Sequence, residues 1–374
     1  MASKILKFSG HNYFRQRLIL AILSGKPVKI DKVRSNDSDP GLKDFEASFL
    51  RLLDKVTNGS IIEINYSGTS VLFKPGVITG GTISHDCGTA RAIGYFLEPM
   101  IALAPFSKDP FNLIFFGITN DNVDTSVDII RTAVMLQLKR FGIEEGLELK
   151  ISKRGSPPLG GGEVNFKCPV VKSLKPMQFT DEGRIKRIRG IACCTRVSPQ
   201  NANRMIDAAR SDYEIYYRQI MTHLTCGTRG FDIVKPMSPT WKSNHICNRS
   251  PGFALSLVAE STTSALITAE QAANPGETPE DLGKRTAKLL LSEIRKGGCI
   301  GSSNQWLMLL LMVLSPEDVS KIRLGQLTAF TIQYLRDIRD FFDVTFKIKQ
   351  DPESNTLLLT SVGVGYINYN KKTT

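Results

Sequence analysis

One arrangement of secondary structure occurs three times in this sequence, and it limits the fold more than any other feature. Each time, a short alternating strand leads into an amphipathic helix and then into two strands joined by a turn. The strands begin VKIDKVR (28–34), FNLIFFGIT (111–119) and VSKIRLG (319–325), and the helices follow at 42–59, 123–142 and 328–342. A further helix is predicted before each unit, at 12–24, 88–104 and 303–314. Three α-β-α-β-β units predict one large domain with internal pseudo-symmetry.

The spacing of the units predicts a second domain. About a hundred residues separate the second unit from the third, and they contain their own pattern of strand, helix and strand. The segments are RIKRIRGIACCTRV, PQNANRMIDAARSDYEIYYRQI and FALSLVAES. We therefore expect an α/β (α+β) fold, with units one and two in residues 1–183, a smaller inserted α/β domain in 184–283 and unit three in 284–374. A helix at 282–296 would lead back to the large domain.

The composition indicates which partners the chain could bind and in which compartment it could work. Lys and Arg outnumber Asp and Glu by 48 to 36, which gives a net charge of +12. Such an excess suits either a solubilising surface or a phosphate-rich partner. The most apolar run, WLMLLLMVL (306–314), is far shorter than the roughly 20 residues of a membrane span, so it predicts a buried helix. Seven cysteines without an export signal predict reduced thiols in the cytosol or nucleus.

Three local patterns could carry binding chemistry, and each has a plainer alternative. A short segment contains four residues of the kinds that bind zinc, namely His223, Cys226, His245 and Cys247. Their spacing fits no familiar zinc motif, and an ordinary loop is the plainer alternative. PPLGGGE (157–163) could cradle a phosphate on backbone N–H groups, or it could form a tight hairpin. No catalytic triad, carboxylate pair or dinucleotide fingerprint is visible.

The strand GRIKRIRG (183–190) is the third pattern, because it alternates basic residues with isoleucine. Alternation should place Arg184, Lys186 and Arg189 on one face, with Arg187 adding a further positive charge. The face could contact an RNA backbone or could be a solvated edge of the sheet.

Longer segments resemble a known family. DPGLKDFEASFLRLLDKVTNGS, KPGVITGG, RGSPPLGGGEVNF and LSEIRKGGCIGSSNQ are similar to the RNA 3′-terminal phosphate cyclase family. VSPQNANRMIDAAR and NRSPGFALSLVAES resemble its eukaryotic cyclase-like branch. The likeness covers about residues 5–365 and implies three repeated units with a small domain inserted before the third. It transfers nothing to segment 212–248, which is atypical of the branch.

The resemblance also shows which catalytic residues of the family this chain lacks. The Gly-rich stretch of true cyclases is replaced by FSGHNYFR, so Phe8 stands where the family has Glu. The histidine that cyclases adenylate corresponds to Leu327, an aliphatic residue with no nucleophilic atom. The resemblance therefore implies no cyclase activity and no cofactor.

Part of an anion site could remain. The resemblance places family arginines at Arg15 and Arg34 and replaces a family Asp-Gln pair by Asn304-Gln305. Guanidinium groups suit phosphate, so these residues could form a vestigial anion pocket. The alternative is that the arginines pair with nearby acids such as Asp31 or Asp37.

For function, the resemblance implies an assembly factor in the nucleus and nucleolus. The cyclase-like branch acts in the small-subunit processome, in the early pre-rRNA cleavages that mature 18S rRNA. The implied partners are pre-rRNA, a small nucleolar ribonucleoprotein particle and a Bms-family GTPase, with no membrane.

The alternative function is a pre-rRNA endonuclease built on the helix at 328–342. Its predicted buried stripe consists of Ile332, Leu335, Ile338 and Phe342. Its predicted polar face consists of Arg336, Asp337, Arg339 and Asp340. These polar residues could assist phosphodiester cleavage, or they could be ordinary surface ion pairs.

Overall fold

The computed structural model describes residues 5–220, 231–234 and 250–368, and its chain begins with a mixed four-stranded sheet. The elements of this first part are β1 (Leu6–Ser9), α1 (Phe14–Ser24), β2 (Val28–Asp31), α2 (Asp44–Val56), β3 (Thr57–Asn58), β4 (Ile61–Ile64), β5 (Val71–Lys74) and β6 (Val77–Ile78). The first sheet has the order β1-β2-β5-β4, and β3 pairs with β6 beside it.

The second sheet, β7-β8-β10-β9, is built in the same way. Its elements are β7 (Gly81–Asp86), α3 (Ile93–Leu103), β8 (Phe111–Gly117), α4 (Val127–Ile129), α5 (Met135–Leu138), β9 (Glu148–Lys153) and β10 (Gly162–Cys168). A π-helical segment, Ile130–Val134, joins α4 to α5. The helical run ends at Gly142, which adopts φ 84 as the sequence predicts for a helix stop.

The remaining residues form two further sheets. The fourth sheet, β13-β12-β14-β15, lies in sequence between the strands of the third sheet, β11-β16-β18-β17. Their elements are β11 (Gln178–Phe179), β12 (Ile185–Thr195), α6 (Gln200–Ile220), β13 (Phe231–Val234), β14 (Gly252–Ser261), β15 (Leu266–Ala272), α7 (Pro279–Arg295), α8 (Gln305–Leu314), β16 (Val319–Leu324), α9 (Ala329–Phe342), β17 (Lys347–Asp351) and β18 (Thr356–Val362).

The first three sheets share one strand order. In each, a leading strand lies parallel to the next strand along the sheet, and the other neighbours are antiparallel. The mixed α/β class is confirmed, but the leading strands β1, β7 and β11 were not predicted. β1 and β11 are short, with four and two residues, whereas β7 has six residues and was overlooked.

Three apolar helices are enclosed by these sheets. All residues of α3 and all residues of α8 are buried, and so are nine residues of α1. Their side chains belong to one hydrophobic cluster that also includes strands of the first three sheets. The run WLMLLLMVL is therefore a buried helix, as predicted. Within the described ranges, no helix is long and apolar enough to cross a membrane.

A buried ion pair ties the first part of the chain to the last. Arg17 Nε of α1 donates to Asp337 Oδ2 of α9 over 3.1 Å, and the two side chains are 7% and 0% exposed. The Arg17 guanidinium also lies 4.3 Å from the ring centroid of Phe8, and Gln333 Nε2 donates to the other carboxylate oxygen of Asp337. The pair thus fixes how α1 packs against α9.

The fourth sheet is covered on both faces. Helices α6 and α7 pack on one face, around a second hydrophobic cluster that contains Met205, Leu257 and Leu290. The other face meets α4 and the π-helical segment through Ile129, Ala133, Val258 and Leu266. The domain boundary predicted between residues 283 and 284 falls inside α7. The domain limits themselves stay a prediction.

A carboxyl group lies at the contact between the fourth sheet and α4. Glu270 Oε1 accepts the backbone N–H of Ser126 over 2.8 Å, and Ser126 is the N-cap of α4. Burial raises the pKa of Glu270 to about 8, although the hydrogen bonds from Ser126 act in the opposite direction. The nearby carboxylates Asp128 and Glu98 raise it further.

The first prediction concerns the Arg17–Asp337 pair. Asp337→Asn leaves a buried guanidinium without its counter-charge, so we expect a loss of about 3–5 kcal/mol in urea denaturation. The double variant Arg17→Met/Asp337→Asn removes both charges and should be less destabilised than the single variant. Asp340→Asn, on the exposed side of the same helix, is the control and should stay within about 0.5 kcal/mol of wild type. Equal effects of Asp337→Asn and Asp340→Asn would contradict this account.

The second prediction concerns Glu270 and pH. Its pKa is about 8 when folded against an ordinary value of 4.5, so the folded chain binds more protons than the unfolded chain between these values. Stability should therefore fall as the pH rises through this window, by at most about 1.4 kcal/mol per pH unit from this group. Glu270→Gln does not titrate, so its stability relative to wild type should increase from pH 5 to pH 8. Parallel profiles of the thermal midpoint would refute the assignment.

Candidate functional site: a pocket at the helix starts

A cavity of about 370 Å³ lies where several helices begin, and polar side chains make up most of its lining. Its wall includes the first turn of α1, Arg91 just before the N-cap of α3, the loop before α4, the turn before α8 and the N-cap of α9. The lining residues are Arg15, Gln16, Arg91, Glu98, Val123, Asp124, Thr125, Ser302, Ser303, Trp306, Thr328 and Phe330. Because helix N-termini carry partial positive charge, this geometry favours an anion.

The arginines of the pocket are already paired with acids. Arg15 lies 3.5 Å from Glu98 Oε2 and stacks over the ring of Tyr95. Arg91 makes a two-pronged contact with Asp124, through Nε at 2.8 Å and through a second, shorter bond. Burial raises the pKa of Glu98, while Arg15 opposes the rise. An incoming anion would compete with these carboxylates for the guanidinium groups.

Arg34 is not part of this pocket wall. Its guanidinium donates to both carboxylate oxygens of Glu46, over 2.6 and 2.8 Å. The alternative that Arg34 pairs with a nearby acid is therefore correct, although its partner is Glu46 rather than Asp31 or Asp37. The sequence did offer a clue to this partner, because Glu46 is the third residue of α2, a position typical of a capping box. There Glu46 also accepts the backbone N–H of Lys43 over 2.9 Å.

Asn304 and Gln305 lie behind the pocket wall and are 2% and 1% exposed. Gln305 Oε1 accepts the hydroxyl hydrogen of Thr331 over 2.8 Å, and Gln305 Nε2 donates to the carbonyl of Gln326. The Nδ2 atom of Asn304 has no hydrogen-bond partner in the described part of the chain. Gln305 therefore joins α8 to the start of α9, so its observed contacts are structural. The neighbouring residues Ser302, Ser303 and Trp306 line the pocket itself.

Leu327 occupies the position directly before the N-cap of α9. The next residue, Thr328, is the N-cap, and its hydroxyl accepts the N–H of Thr331 over 3.1 Å. The Leu327 side chain is partly buried against the main hydrophobic cluster. An aliphatic side chain offers neither a lone pair nor a titrating proton, so this helix start carries no nucleophile at that position.

No described histidine replaces it in the pocket lining. His85 packs between the rings of Phe96 and Phe115, with centroid distances of 5.1 and 6.3 Å. Burial lowers the pKa of His85 to about 4, so the ring is neutral at pH 7. His11 is exposed in the turn before α1.

Helix α9 does not present the predicted polar face. Its buried residues are Thr331, Tyr334, Asp337, Ile338 and Phe341. The stripe is rotated from the predicted one, since Ile332 is 42% exposed and Asp337 is fully buried. Burial of Asp337 is possible because Arg17 neutralises it. Only Arg336, Arg339 and Asp340 of the four predicted residues lie at the surface.

The glycines of PPLGGGE serve close packing in the β9–β10 hairpin. A Cβ on Gly160, whose φ is 64°, would lie 3.0 Å from the carbonyl carbon of Gly117, and a Cβ on Gly162 would lie 2.6 Å from Thr119 Cγ2. These contacts leave no room for side chains at either position. The hairpin interpretation therefore accounts for both glycines.

The basic strand β12 divides its charges between two faces. Arg187 and Arg189 both contact Glu260 at 2.8 Å, while Arg184 and Lys186 are exposed. The prediction that Arg189 shares a face with Arg184 and Lys186 was wrong, because the register shifts between Ile185 and Arg187 and strand alternation pairs Arg189 with Arg187.

The zinc candidates His223, Cys226, His245 and Cys247 lie outside the described residues. Within residues 5–220, 231–234 and 250–368, no group of three or more His, Cys, Asp or Glu residues is arranged to hold a metal ion.

Comparison with known proteins agrees with this architecture. The family model described as "RNA 3'-terminal phosphate cyclase" matches residues 6–348. A Dictyostelium discoideum protein named "Probable RNA 3'-terminal phosphate cyclase-like protein" is 50% identical, over 99% of this chain and 100% of that protein. The Homo sapiens "RNA 3'-terminal phosphate cyclase-like protein" is also 50% identical, over 98% of this chain and 97% of that protein. The Saccharomyces cerevisiae "rRNA processing protein RCL1" is 40% identical, over 99% and 98%. These matches show that the chain belongs to the RNA 3′-terminal phosphate cyclase family.

Proposed function

We propose that this chain is a non-catalytic factor in rRNA processing. The observation that carries the proposal is Leu327, an aliphatic residue directly before the N-cap of α9, where the family resemblance places the adenylated histidine. Formation of a phosphoramidate needs a nucleophilic nitrogen, and the leucine side chain has none. Relatives 43% and 40% identical to the chain are named rRNA processing proteins.

The charge state of the pocket supports the same proposal. Arg15 and Arg91, the two arginines of the wall, are balanced by Glu98 and Asp124. A nucleotide triphosphate brings several negative charges, and two neutralised guanidinium groups stabilise them weakly. The helix starts can still attract a single small anion. A vestigial anion site that centres on Arg15 fits these contacts.

Within rRNA processing, we place the chain in the small-subunit processome of the nucleolus. There it supports the early pre-rRNA cleavages that mature 18S rRNA, binds a Bms-family GTPase and stimulates nucleotide exchange on it. The family resemblance supports this finer assignment, and the net charge of +12 suits an RNA-rich assembly. The endonuclease alternative loses Asp337 to the buried pair with Arg17, so the surface of α9 offers it only Asp340 as an acid among its predicted residues.

The third prediction is that the purified chain forms no covalent adduct with AMP. The protein is incubated with radiolabelled ATP and a divalent metal, and then with RNA that ends in a 3′-phosphate. We expect no labelled protein and no cyclic phosphate ends, because the attacking nitrogen is absent. An active cyclase of the family is the positive control. A labelled protein band would overturn the proposal.

The fourth prediction is genetic. Yeast cells are depleted of the 40%-identical rRNA processing protein, and we expect them to lose 18S rRNA. Expression of this chain in the depleted cells should restore the level of 18S rRNA. Leu327→Ala keeps the position aliphatic and should restore 18S rRNA equally well. Northern blots of 18S rRNA and its precursors give the result. Normal levels of this chain without any recovery of 18S rRNA would count against the function.

The same strain tests the GTPase assignment. An affinity tag on the chain should recover the Bms-family GTPase from extracts at low salt. Recovery of 18S rRNA without this GTPase would remove the partner from the proposal and leave the processing role.

A further inference from the structure

The outward face of the third sheet has a pattern of charge unlike that of the other sheets. Leu324, Ile322 and Leu359 point towards the core, so the alternate residues of β16 and β18 point outward. The register of β17 against β18 places its odd-numbered residues on the same outward side. We call this surface the lysine face and define it by Lys321, Arg323, Lys347, Lys349, Asp351, Leu358 and Thr360.

Basic residues flank the central strand of the lysine face in two rows. Thr360 of β18 pairs with Lys321 on one side and Lys347 on the other. Leu358 pairs in the same way with Arg323 and Lys349. Neighbouring strands are about 4.8 Å apart and alternate residues about 7 Å apart, so the backbone attachment points form a grid of roughly 10 by 7 Å. The three lysines are exposed.

On the corresponding faces of the first two sheets, most of the lysines lie within 4 Å of a carboxylate. On the first sheet, Lys29 lies 3.2 Å from Asp31 and Lys74 lies 3.9 Å from Glu63. On the second, Lys153 lies 2.6 Å from Glu163 and Lys167 lies 3.4 Å from Glu148. Three of these four pairs join adjacent strands, where opposite charges stabilise a sheet, and Lys29–Asp31 lies within β2.

The third sheet departs from that arrangement. Arg323 contacts Asp351 at 2.7 Å, but Lys321, Lys347 and Lys349 have no carboxylate partner among the described residues. Three unpaired ammonium groups on one small face repel one another, and a bound polyanion would relieve this repulsion.

We propose that the lysine face binds the phosphate backbone of RNA. Lysine ammonium groups act as point charges towards phosphates, and no aromatic ring on the face offers a base a stacking surface, so the contact is independent of base sequence. A repeating row of phosphates fits the two-row grid better than an acidic peptide does, because between the two basic rows the face offers an anchoring side chain only Leu358 and Thr360. The inference rests on the proposed role in rRNA processing and adds a place of contact for the RNA.

The test is salt-dependent binding of a fluorescent oligouridylate to the full chain. The variant Lys321→Gln/Lys347→Gln/Lys349→Gln should weaken binding at low salt on the order of tenfold and lower the slope of log K against log salt by about 2, which corresponds to about 0.7 for each lost phosphate contact. Thermal unfolding should be unchanged, because the three side chains are exposed.

The matched control is Lys29→Gln/Lys74→Gln/Lys167→Gln, which removes the same total charge from lysines that have carboxylate partners. It should keep the wild-type slope. An equal loss in both variants would mean that only net charge matters and would overturn the proposal. So would an unchanged slope in the first variant, displacement of the RNA by polyglutamate as readily as by unlabelled RNA, or no RNA binding by the wild type at low salt.

These outcomes are separate from the fate of the proposed function. If the wild-type chain restores 18S rRNA but the lysine variant binds RNA normally, the lysine face is wrong and the processing role stands. If the wild type fails to restore 18S rRNA, the processing role is wrong, whatever the titrations show about the lysine face.

Discussion

The enclosure of three apolar helices in one core is the constraint on which the rest of the structure depends. Helices α1, α3 and α8 present almost no surface to water, so each must be covered on every side by sheets and by other helices. Burying a single leucine contributes roughly 1.5–3 kcal/mol, and these helices bury many. Because each helix follows the leading strand of its own sheet, their N-terminal ends meet in one place. The pocket is therefore a product of the packing.

The same packing explains why each arginine at and behind the pocket is paired with an acidic residue. Arg17 of α1 is buried with Asp337, and Arg15 lies in the same first turn beside Glu98. Isolated charges are expensive to bury, and pairing lowers that penalty. The guanidinium groups of Arg15 and Arg91 at the pocket are engaged with the protein's own acids. The lysines at the surface of the third sheet are the opposite case, because solvent lets them stay unpaired.

Local patterns in the sequence predicted most elements but few of the long-range contacts. Helix α2, the hairpin β9–β10 and the stop at Gly142 follow from periodicity and turn residues that lie close together in the chain. The partner of Arg17 lies 320 residues away, and periodicity carries no information about such a pair. Asp337 was assigned to the surface because a charged residue is rarely buried, a rule that fails where an arginine is buried beside it.

For the site, the assignment of Leu327 rests on family resemblance rather than on spacing. No local rule singles out Leu327, yet the resemblance placed it before a helix, and the structure has it directly before the N-cap of α9. The partner of Arg34 was missed although a local pattern pointed to it. Glu46 was visible as an acid in the first turn of α2, but the fold of the intervening loop decided whether it could reach Arg34.

The two-residue strand β11 has a consequence for how the chain is made. Gln178 and Phe179 pair with Lys321 and Ile322, and the whole fourth sheet is translated between them. While the ribosome synthesises the residues of the fourth sheet, β11 cannot yet pair with β16, and the main hydrophobic core still lacks α8. A nascent chain at this stage exposes apolar surface that only its final part can cover, so chaperones have a defined interval in which to protect it. A polypeptide that terminates before α8 would lack this helix and the strands β16–β18. Its core would stay uncovered, and cellular quality control would recognise it as misfolded.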